Sequence, residues 1–307
     1  MKKLSLLAKS LKSSFRNTVL AAAAFLFLTA GFFGCKKDKA EGTQITATFY
    51  PLYIMLLNIT EGAQGVQVNL LSSPDTGCLH DYQLTTKDMQ LIEKSDILVA
   101  NGSGMESFLE KVLETKKDTT ILASEGFELL KENDDNPHIW VSLQGAVYET
   151  NKIAAGLASL DEKNAELYLK NAELYAEKLN DLGSSMKEEL LPYKNSSIIT
   201  FHEAFPYFAS EFSLNLKDVI EREPGTPANA AELASMIKLI NQAKMSGEKI
   251  ALYAEPQYSS AEAEIISKET GLTVYQLDPC VTGLLEKDAY LNAMKQNLET
   301  LKLSLGK

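Results

Sequence analysis

Short runs of β-branched and apolar residues alternate with amphipathic segments along most of the chain. The predicted strands are 45–49, 66–71, 96–100 and 119–123 in the first half, and 197–200, 216–220, 250–254 and 273–277 in the second. Helical periodicity covers 52–59, 86–95, 105–113, 143–160, 204–211, 228–244, 260–270 and 289–305. This alternation is typical of mostly parallel sheets covered by helices. The pattern therefore predicts an α/β protein with two lobes of similar size.

One long helical segment separates the two halves. Between residues 161 and 191 apolar positions recur every three or four residues on one helix face, namely Tyr168, Ala172, Tyr175, Leu179, Leu182, Met186 and Leu190. Asp161 is the predicted N-cap and Pro192 the stop signal. About 30 residues at 1.5 Å each give a rod of roughly 45 Å. We expect a first lobe at 44–160, a rigid linking helix at 161–192 and a second lobe at 193–307.

The N-terminus has the pattern of a targeting segment. All charged residues among the first 17 are basic, and residues 19–33 are apolar and uncharged. The apolar run is short for a membrane span but has the length typical of a signal peptide. The run ends in Gly34 and Cys35, which resemble the cleavage site of bacterial lipoproteins. We expect a signal peptide at 1–34, a lipid on Cys35 and a polar tether at 35–43, with the mature chain anchored to the outer side of a membrane. A cleaved secretory signal with an unmodified cysteine is the alternative.

Composition and charge narrow the class of protein. Hydrophobic residues make up 45% of the chain and charged residues 23%, as in ordinary globular proteins. The formal net charge is −11, and the only charges in the first 34 residues are positive, so the remainder is more acidic still. Such a surface repels phosphate backbones, which argues against nucleic-acid binding and suits a cationic ligand.

The three histidines of the chain, His80, His138 and His202, each fall at a strand end or in a turn before a helix. Asp278 follows the strand predicted at 273–277. Ligands of α/β proteins bind outside the carboxyl ends of parallel strands. The four residues are too far apart in sequence for a local zinc motif, so only the fold could bring them together. Three imidazoles and one carboxylate suit Zn²⁺, and we expect this site in the cleft between the lobes.

The mature chain resembles the solute-binding lipoproteins of zinc- and manganese-type ABC transporters. The matching motifs are FYP (49–51), HDY (80–82), DILVAN (96–101) with GME (104–106), NPHIW (136–140), FHEAFPYF (201–208), AEPQ (254–257) and LDP (277–279). The resemblance implies His80, His138, His202 and Asp278 as metal ligands. Glu203 and Glu255, which adjoin ligand motifs, are expected to support the ligands rather than bind the metal. The histidine-rich loop of many zinc-type relatives is replaced here by an acidic stretch at 131–136.

Two cysteines remain in the mature chain besides Cys35. Cys78 lies two residues before His80, and Cys280 lies two residues after Asp278. If both ligands hold one ion, the cysteines approach each other beside it, and we predict a disulfide between them. Two thiols near the metal are the alternative.

These features predict a protein that captures Zn²⁺ outside the cytoplasm and delivers it to an ABC permease with its cytoplasmic ATPase. Mn²⁺, or divalent metals more broadly, is the alternative cargo within the same class. A zinc hydrolase is the alternative class, because Glu203 or Glu255 could serve as a general base beside a bound water. Four protein ligands would close the metal site to water, which favours the binding protein over the enzyme.

Overall fold

A computed structural model of the chain describes residues 42–79, 82–132, 134–220, 229–256 and 261–306. The predicted signal peptide, Cys35, most of the tether and His80 lie outside the described residues. Among the helices that are described, none combines the length and the apolar character that a membrane crossing requires.

The first lobe is built on a parallel sheet of four strands. These are β1 (Thr43–Ala47), β2 (Val66–Leu70), β3 (Ile97–Ala100) and β4 (Thr120–Leu122), arranged in the order β2-β1-β3-β4. The helices of this part of the chain are α1 (Tyr50–Ile59), α2 (Thr86–Lys94), α3 (Glu110–Thr115) and α4 (Leu143–Leu160). Every residue of β3 is buried, as expected for an inner strand of a covered parallel sheet.

Two short strands follow the first sheet and were not predicted. They are β5 (Lys131–Glu132) and β6 (Asp134–Asp135), which pair antiparallel. Two-residue strands of charged residues have no apolar alternation, so the sequence pattern carries no signal for them.

The long linking helix is present as α5 (Ala165–Leu190), with 3₁₀ turns at Glu162–Asn164 and Leu191–Tyr193. The predicted apolar face is buried except for Leu182, which is only partly buried. Asp161 does not cap the helix backbone as predicted. Its carboxylate instead accepts hydrogen bonds from Asn164 Nδ2 at 2.8 Å and from the Tyr168 hydroxyl at 2.7 Å.

The second lobe repeats the parallel architecture. Its strands are β7 (Ser197–Thr200), β8 (Asn215–Val219), β9 (Ile250–Ala254) and β10 (Val274–Gln276), in the order β10-β9-β7-β8. Its helices are α6 (Pro206–Glu211), α7 (Ala230–Met245), α8 (Ala261–Thr270) and α9 (Ala289–Leu305). The predicted fold class is thereby confirmed: two lobes with parallel sheets and a long helix between them in the chain.

One continuous hydrophobic core connects both lobes with α5. It extends from Ile45 on β1 through Tyr175 and Leu179 on α5 to Leu301 on α9. A second, smaller cluster lies in the second lobe and includes Ile199, Ile240, Leu252 and Ile266. The long helix therefore packs its apolar face against the shared core and does not bridge solvent between two separate bodies.

Candidate metal centre

Three predicted site residues lie at one edge of the second sheet. His202 follows β7 by two residues, Glu255 comes directly after β9, and Asp278 follows β10 by two residues. These strands are parallel neighbours, with Thr200 opposite Tyr253 and Gln276 opposite Ala254. Their carboxyl ends therefore present the three side chains at the same edge, as the strand pattern predicted for His202 and Asp278.

Glu255 orients the His202 ring. His202 Nδ1 lies 2.8 Å from Glu255 Oε1, and the side chains are 2% and 1% exposed. A carboxylate only accepts hydrogen bonds, so Nδ1 carries the proton and donates it. The lone pair of the neutral ring is then on Nε2, which is the nitrogen that can coordinate a metal. The expectation that Glu255 supports a ligand agrees with this geometry.

Asn136 plays the corresponding part for His138. Asn136 Oδ1 accepts from the backbone N–H of His138 at 2.9 Å and lies 3.0 Å from His138 Nδ1. Asn136 Nδ2 donates to the backbone carbonyl of Glu203 at 2.9 Å, which fixes the orientation of the amide. Nδ1 of His138 is therefore a donor, and Nε2 is again the nitrogen that can coordinate a metal. Glu203 thus contacts the site through its backbone carbonyl.

Sequence reasoning missed this role of Asn136, although Asn136 stands in the NPHIW motif. Tyr207 supports the same turn, since its hydroxyl donates to the Asn136 carbonyl at 2.8 Å and accepts from the Leu130 N–H at 2.9 Å. Tyr207 lies on α6, just after His202. The two histidine segments are therefore tied together by hydrogen bonds between the lobes.

The two described histidines meet in the interior. Their ring centroids are 4.8 Å apart at 86°, and both residues are buried. Cys78 joins them: one donor atom from each of Cys78, His138 and His202 lies within 4.8 Å of the other two. This cluster combines residues from both lobes. Within the described part of the chain Asp278 is not a member of it, and His80 lies outside the described residues.

Asp278 is held beside this cluster by its own loop. Its Oδ1 accepts from the Cys280 N–H at 2.7 Å, and Asn297 binds both its backbone N–H and its carbonyl. Burial raises the pKa of Asp278; the Cys280 N–H partly offsets this, and the negative charge of Glu255 raises the pKa further. A divalent cation bound to the Asp278 carboxylate would offset both the burial cost and the repulsion.

The predicted disulfide between Cys78 and Cys280 is wrong. Both cysteines are buried thiols. Cys78 Sγ belongs to the cluster with His138 and His202, whereas Cys280 Sγ is directed at the carbonyl of Asp278, at 3.7 Å. The loop geometry explains this, since Cys280 has a φ of +59° and its N–H turns back onto the Asp278 carboxylate.

Trp140 links the histidine turn to the Asp278 loop. Its Nε1 donates to the Pro279 carbonyl at 2.9 Å, and its ring lies 4.9 Å from Phe49 and 5.2 Å from His138 between centroids. Tyr290 on α9 donates to the Trp140 carbonyl at 2.7 Å. The only tryptophan of the chain therefore packs the wall of the site and fixes the loop that carries Asp278.

The profile of a family described as zinc-uptake complex component A, periplasmic, matches residues 45–303. The high-affinity zinc uptake system protein ZnuA of Bacillus subtilis is 29% identical over 312 residues, which covers 92% of this chain and 95% of that protein. The zinc-binding lipoprotein AdcA of Streptococcus pneumoniae is also 29% identical, with 93% of this chain and 60% of AdcA covered. This chain thus spans about three fifths of AdcA and nearly all of the Bacillus protein.

Solved structures of metal-bound proteins share the fold of this chain. The solute-binding protein FpvC of Pseudomonas aeruginosa in complex with Mn²⁺ matches with a TM-score of 0.77 at 27% identity, covering 87% of this chain and 99% of FpvC. Zn(II)-bound AdcA of Streptococcus pneumoniae matches with a TM-score of 0.74 at 29% identity, covering 87% of this chain and 58% of AdcA.

Two parallel-sheet lobes with a long helix between them, and two adjacent buried histidines, one from each lobe, are the architecture of a metal-binding protein of the solute-binding class. The chain belongs to the family of periplasmic zinc-uptake components. Proteins of this type bind metal and work with an ABC transporter outside the cytoplasm. The predicted class is confirmed, and the chain is a binding protein and not the zinc hydrolase that was the alternative.

Proposed function

We propose that this protein captures Zn²⁺ outside the cytoplasm and delivers it to a membrane permease driven by a cytoplasmic ATPase. The observation that carries the proposal is the buried pair His138 and His202. Nδ1 of His138 is hydrogen-bonded to Asn136, and Nδ1 of His202 is hydrogen-bonded to Glu255. That arrangement turns two Nε2 atoms into preorganised metal donors. We assign the cargo site to His80, His138, His202 and Asp278.

The donor chemistry favours zinc over manganese. Imidazole nitrogen suits Zn²⁺, which accepts four ligands in tetrahedral geometry without electronic preference. Mn²⁺ prefers oxygen donors and lies at the weak end of the affinity order. The names of the relatives ZnuA and AdcA refer to zinc, and they support the same choice.

The ligand assignment is tested by single substitutions at His138 and His202. Each of His138→Ala and His202→Ala removes one metal bond and should weaken Zn²⁺ binding by more than ~100-fold, because losing only an outer partner costs roughly 10–100-fold. Ser184→Ala, on the exposed side of α5, is the matched control and should bind like the parent. Competition with a zinc-sensitive dye measures all three affinities. Parent-like binding by His138→Ala would overturn the site.

The metal that the protein carries in the cell has to be identified separately from the metal affinities measured in vitro. Native mass spectrometry with elemental analysis, on protein purified without chelators, should find one zinc ion per chain. One manganese ion per chain would keep the binding class and replace the cargo.

The membrane anchor is proposed on Cys35. The lipoprotein-like cleavage site and the description of AdcA as a lipoprotein support it. Metabolic labelling with a fatty acid should mark the parent and leave Cys35→Ser unlabelled. Equal labelling of both proteins would place the lipid elsewhere.

A further inference from the structure

Cys78 places a sulfur atom beside the two described histidines. One donor atom of each of Cys78, His138 and His202 lies within 4.8 Å of the other two, and all three residues are buried. Nitrogen and sulfur donors on one tetrahedral zinc ion, at bond lengths of ~2.05 and ~2.3 Å, are separated by about 3.5 Å. The separations of the three donor atoms therefore exceed the spacing around one ion by little more than ~1 Å at most.

Cys280 provides the internal comparison. It is also buried, also a thiol and also two residues from an assigned ligand. Its Sγ, however, points at the Asp278 carbonyl and is not part of the cluster. Burial and sequence position are thus shared by the two cysteines, and only Cys78 has the geometry of a donor.

We propose that Cys78 is a direct ligand of the cargo ion, bound through Sγ together with Nε2 of His138 and Nε2 of His202. This inference rests on the proposed function of the histidine site. Binding converts the thiol to a thiolate and releases one proton to solvent. Cys78 then supplies the anionic donor, from the first lobe, in place of Asp278, which lies outside the cluster in the described structure.

A thiolate changes the selectivity of the site. Soft sulfur ligands favour Zn²⁺ and Cu⁺ and disfavour the hard, oxygen-seeking Mn²⁺. Cys78 would therefore reject manganese more strongly than three imidazoles and a carboxylate could.

Cobalt reports sulfur and nitrogen donors separately. Co²⁺ in a tetrahedral protein site gives visible d–d bands, and a thiolate ligand adds an intense sulfur-to-cobalt charge-transfer band in the near ultraviolet. We would titrate the parent, Cys78→Ser and Cys280→Ser with Co²⁺. The parent and Cys280→Ser should show both sets of bands, and Cys78→Ser should keep the d–d bands but lose the charge-transfer band.

The outcomes separate this inference from the proposed function. Visible bands without charge transfer in the parent would leave the histidine site intact and overturn the role of Cys78. No bands at all would overturn the proposed metal site and the inference with it. A charge-transfer band that persists in Cys78→Ser and disappears in Cys280→Ser would identify Cys280 as the sulfur ligand and would also overturn the inference.

X-ray absorption on the zinc-loaded parent needs no variant and covers the case in which Cys78→Ser fails to fold. A sulfur shell at ~2.3 Å beside nitrogen at ~2.0–2.1 Å is expected, and a shell of nitrogen and oxygen alone would overturn the proposal. For the folded variants, Cys78→Ser should lower Zn²⁺ affinity by more than ~100-fold, beyond the roughly 10–100-fold loss of an outer-shell contact. Cys280→Ser should remain within a few-fold of the parent.

Discussion

His202 Nδ1 and Glu255 Oε1 are 2.8 Å apart, with both side chains almost fully removed from solvent. The contact joins the ends of β7 and β9 and leaves Nε2 of His202 as the ring nitrogen that can bind a metal. Glu255→Ala removes the acceptor that holds this tautomer, so Zn²⁺ affinity should fall by roughly 10–100-fold. Isothermal titration or dye competition measures the change.

Glu166→Ala is the matched control for this prediction, because Glu166 is exposed in the first turn of α5. It should leave the affinity unchanged. Glu255→Gln keeps an oxygen acceptor for Nδ1 and should lose less affinity than Glu255→Ala. Identical zinc affinities for Glu255→Ala and the parent would show that the contact does not prepare the site.

Much of the site edge could be predicted from the sequence, because parallel strands place their carboxyl ends together. His202 and Asp278 were expected at one edge and are found there, together with Glu255, which was expected only to adjoin a ligand motif. The contacts of Asn136 and Cys78 could not be predicted in this way. They depend on how two loops from different parts of the chain approach each other, and no periodicity encodes that approach.

The limits of the helices also include some that the sequence predicts and one that it does not. Strongly periodic segments such as Leu143–Leu160 and Ala289–Leu305 have the predicted limits. The helix predicted at 105–113 is instead a 3₁₀ turn at Ser107–Leu109 followed by α3. Glu106 explains the delay, because its carboxylate accepts the backbone N–H groups of Asn101 and Gly102 and holds the preceding residues in a loop.

Trp140 Nε1 and the Pro279 carbonyl form a buried link between the lobes. Trp140→Phe keeps an aromatic ring but leaves that carbonyl without the donor, which should cost about 1–3 kcal/mol in the free energy of unfolding. Urea denaturation monitored by circular dichroism measures it. Tyr148→Phe, which loses an exposed hydrogen bond to the Glu125 carbonyl, is the control and should change stability by less. Equal stabilities of Trp140→Phe and the parent would mean that this hydrogen bond contributes nothing net.

Glu149 on α4 is fully buried, and neither carboxyl oxygen has a hydrogen-bond partner among the described residues. Burial raises its pKa well above 4.5, and the nearby charge of Glu106 raises it further. The folded state therefore holds this proton to higher pH than the unfolded state. Its contribution to stability falls as pH rises above about 4.5 towards the folded pKa.

The variant Glu149→Gln tests whether the stability contribution of this carboxyl group falls as pH rises. The amide stays neutral, so the stability of the variant relative to the parent should increase between pH 4 and pH 8, whatever constant cost the amide adds. Thermal melts of both proteins across this range give the difference, and Glu166→Gln at an exposed position should show no such trend. A constant difference between Glu149→Gln and the parent would contradict the raised pKa.

The continuous core through α5 bears on metal release. Because Tyr175 and Leu179 of α5 pack with residues of both lobes, a wide hinge motion would expose buried apolar surface. We expect binding and release to involve small shifts of loops or of one lobe, which suffice to break bonds from donors on both sides. The radii of gyration of metal-free and zinc-loaded protein from X-ray scattering should be nearly equal. A large closure on zinc loading would contradict this expectation.

Exchanging the nitrogen donor at position 202 for a carboxylate should lower the affinity for Zn²⁺ relative to that for Mn²⁺. Mn²⁺ favours oxygen ligands over imidazole nitrogen. In this structure His202→Glu alone would place two buried carboxylates within hydrogen-bonding distance, because Glu255 lies against Nδ1 of the ring. The double variant His202→Glu/Glu255→Gln avoids the repulsion, since the amide introduced at position 255 can donate to the new carboxylate. Competition titrations should show a lower ratio of Zn²⁺ to Mn²⁺ affinity in the double variant than in Glu255→Gln, which is the matched control. A parent that prefers Mn²⁺, or a double variant with the selectivity of its control, would contradict the zinc assignment and leave a binder of divalent metals in general.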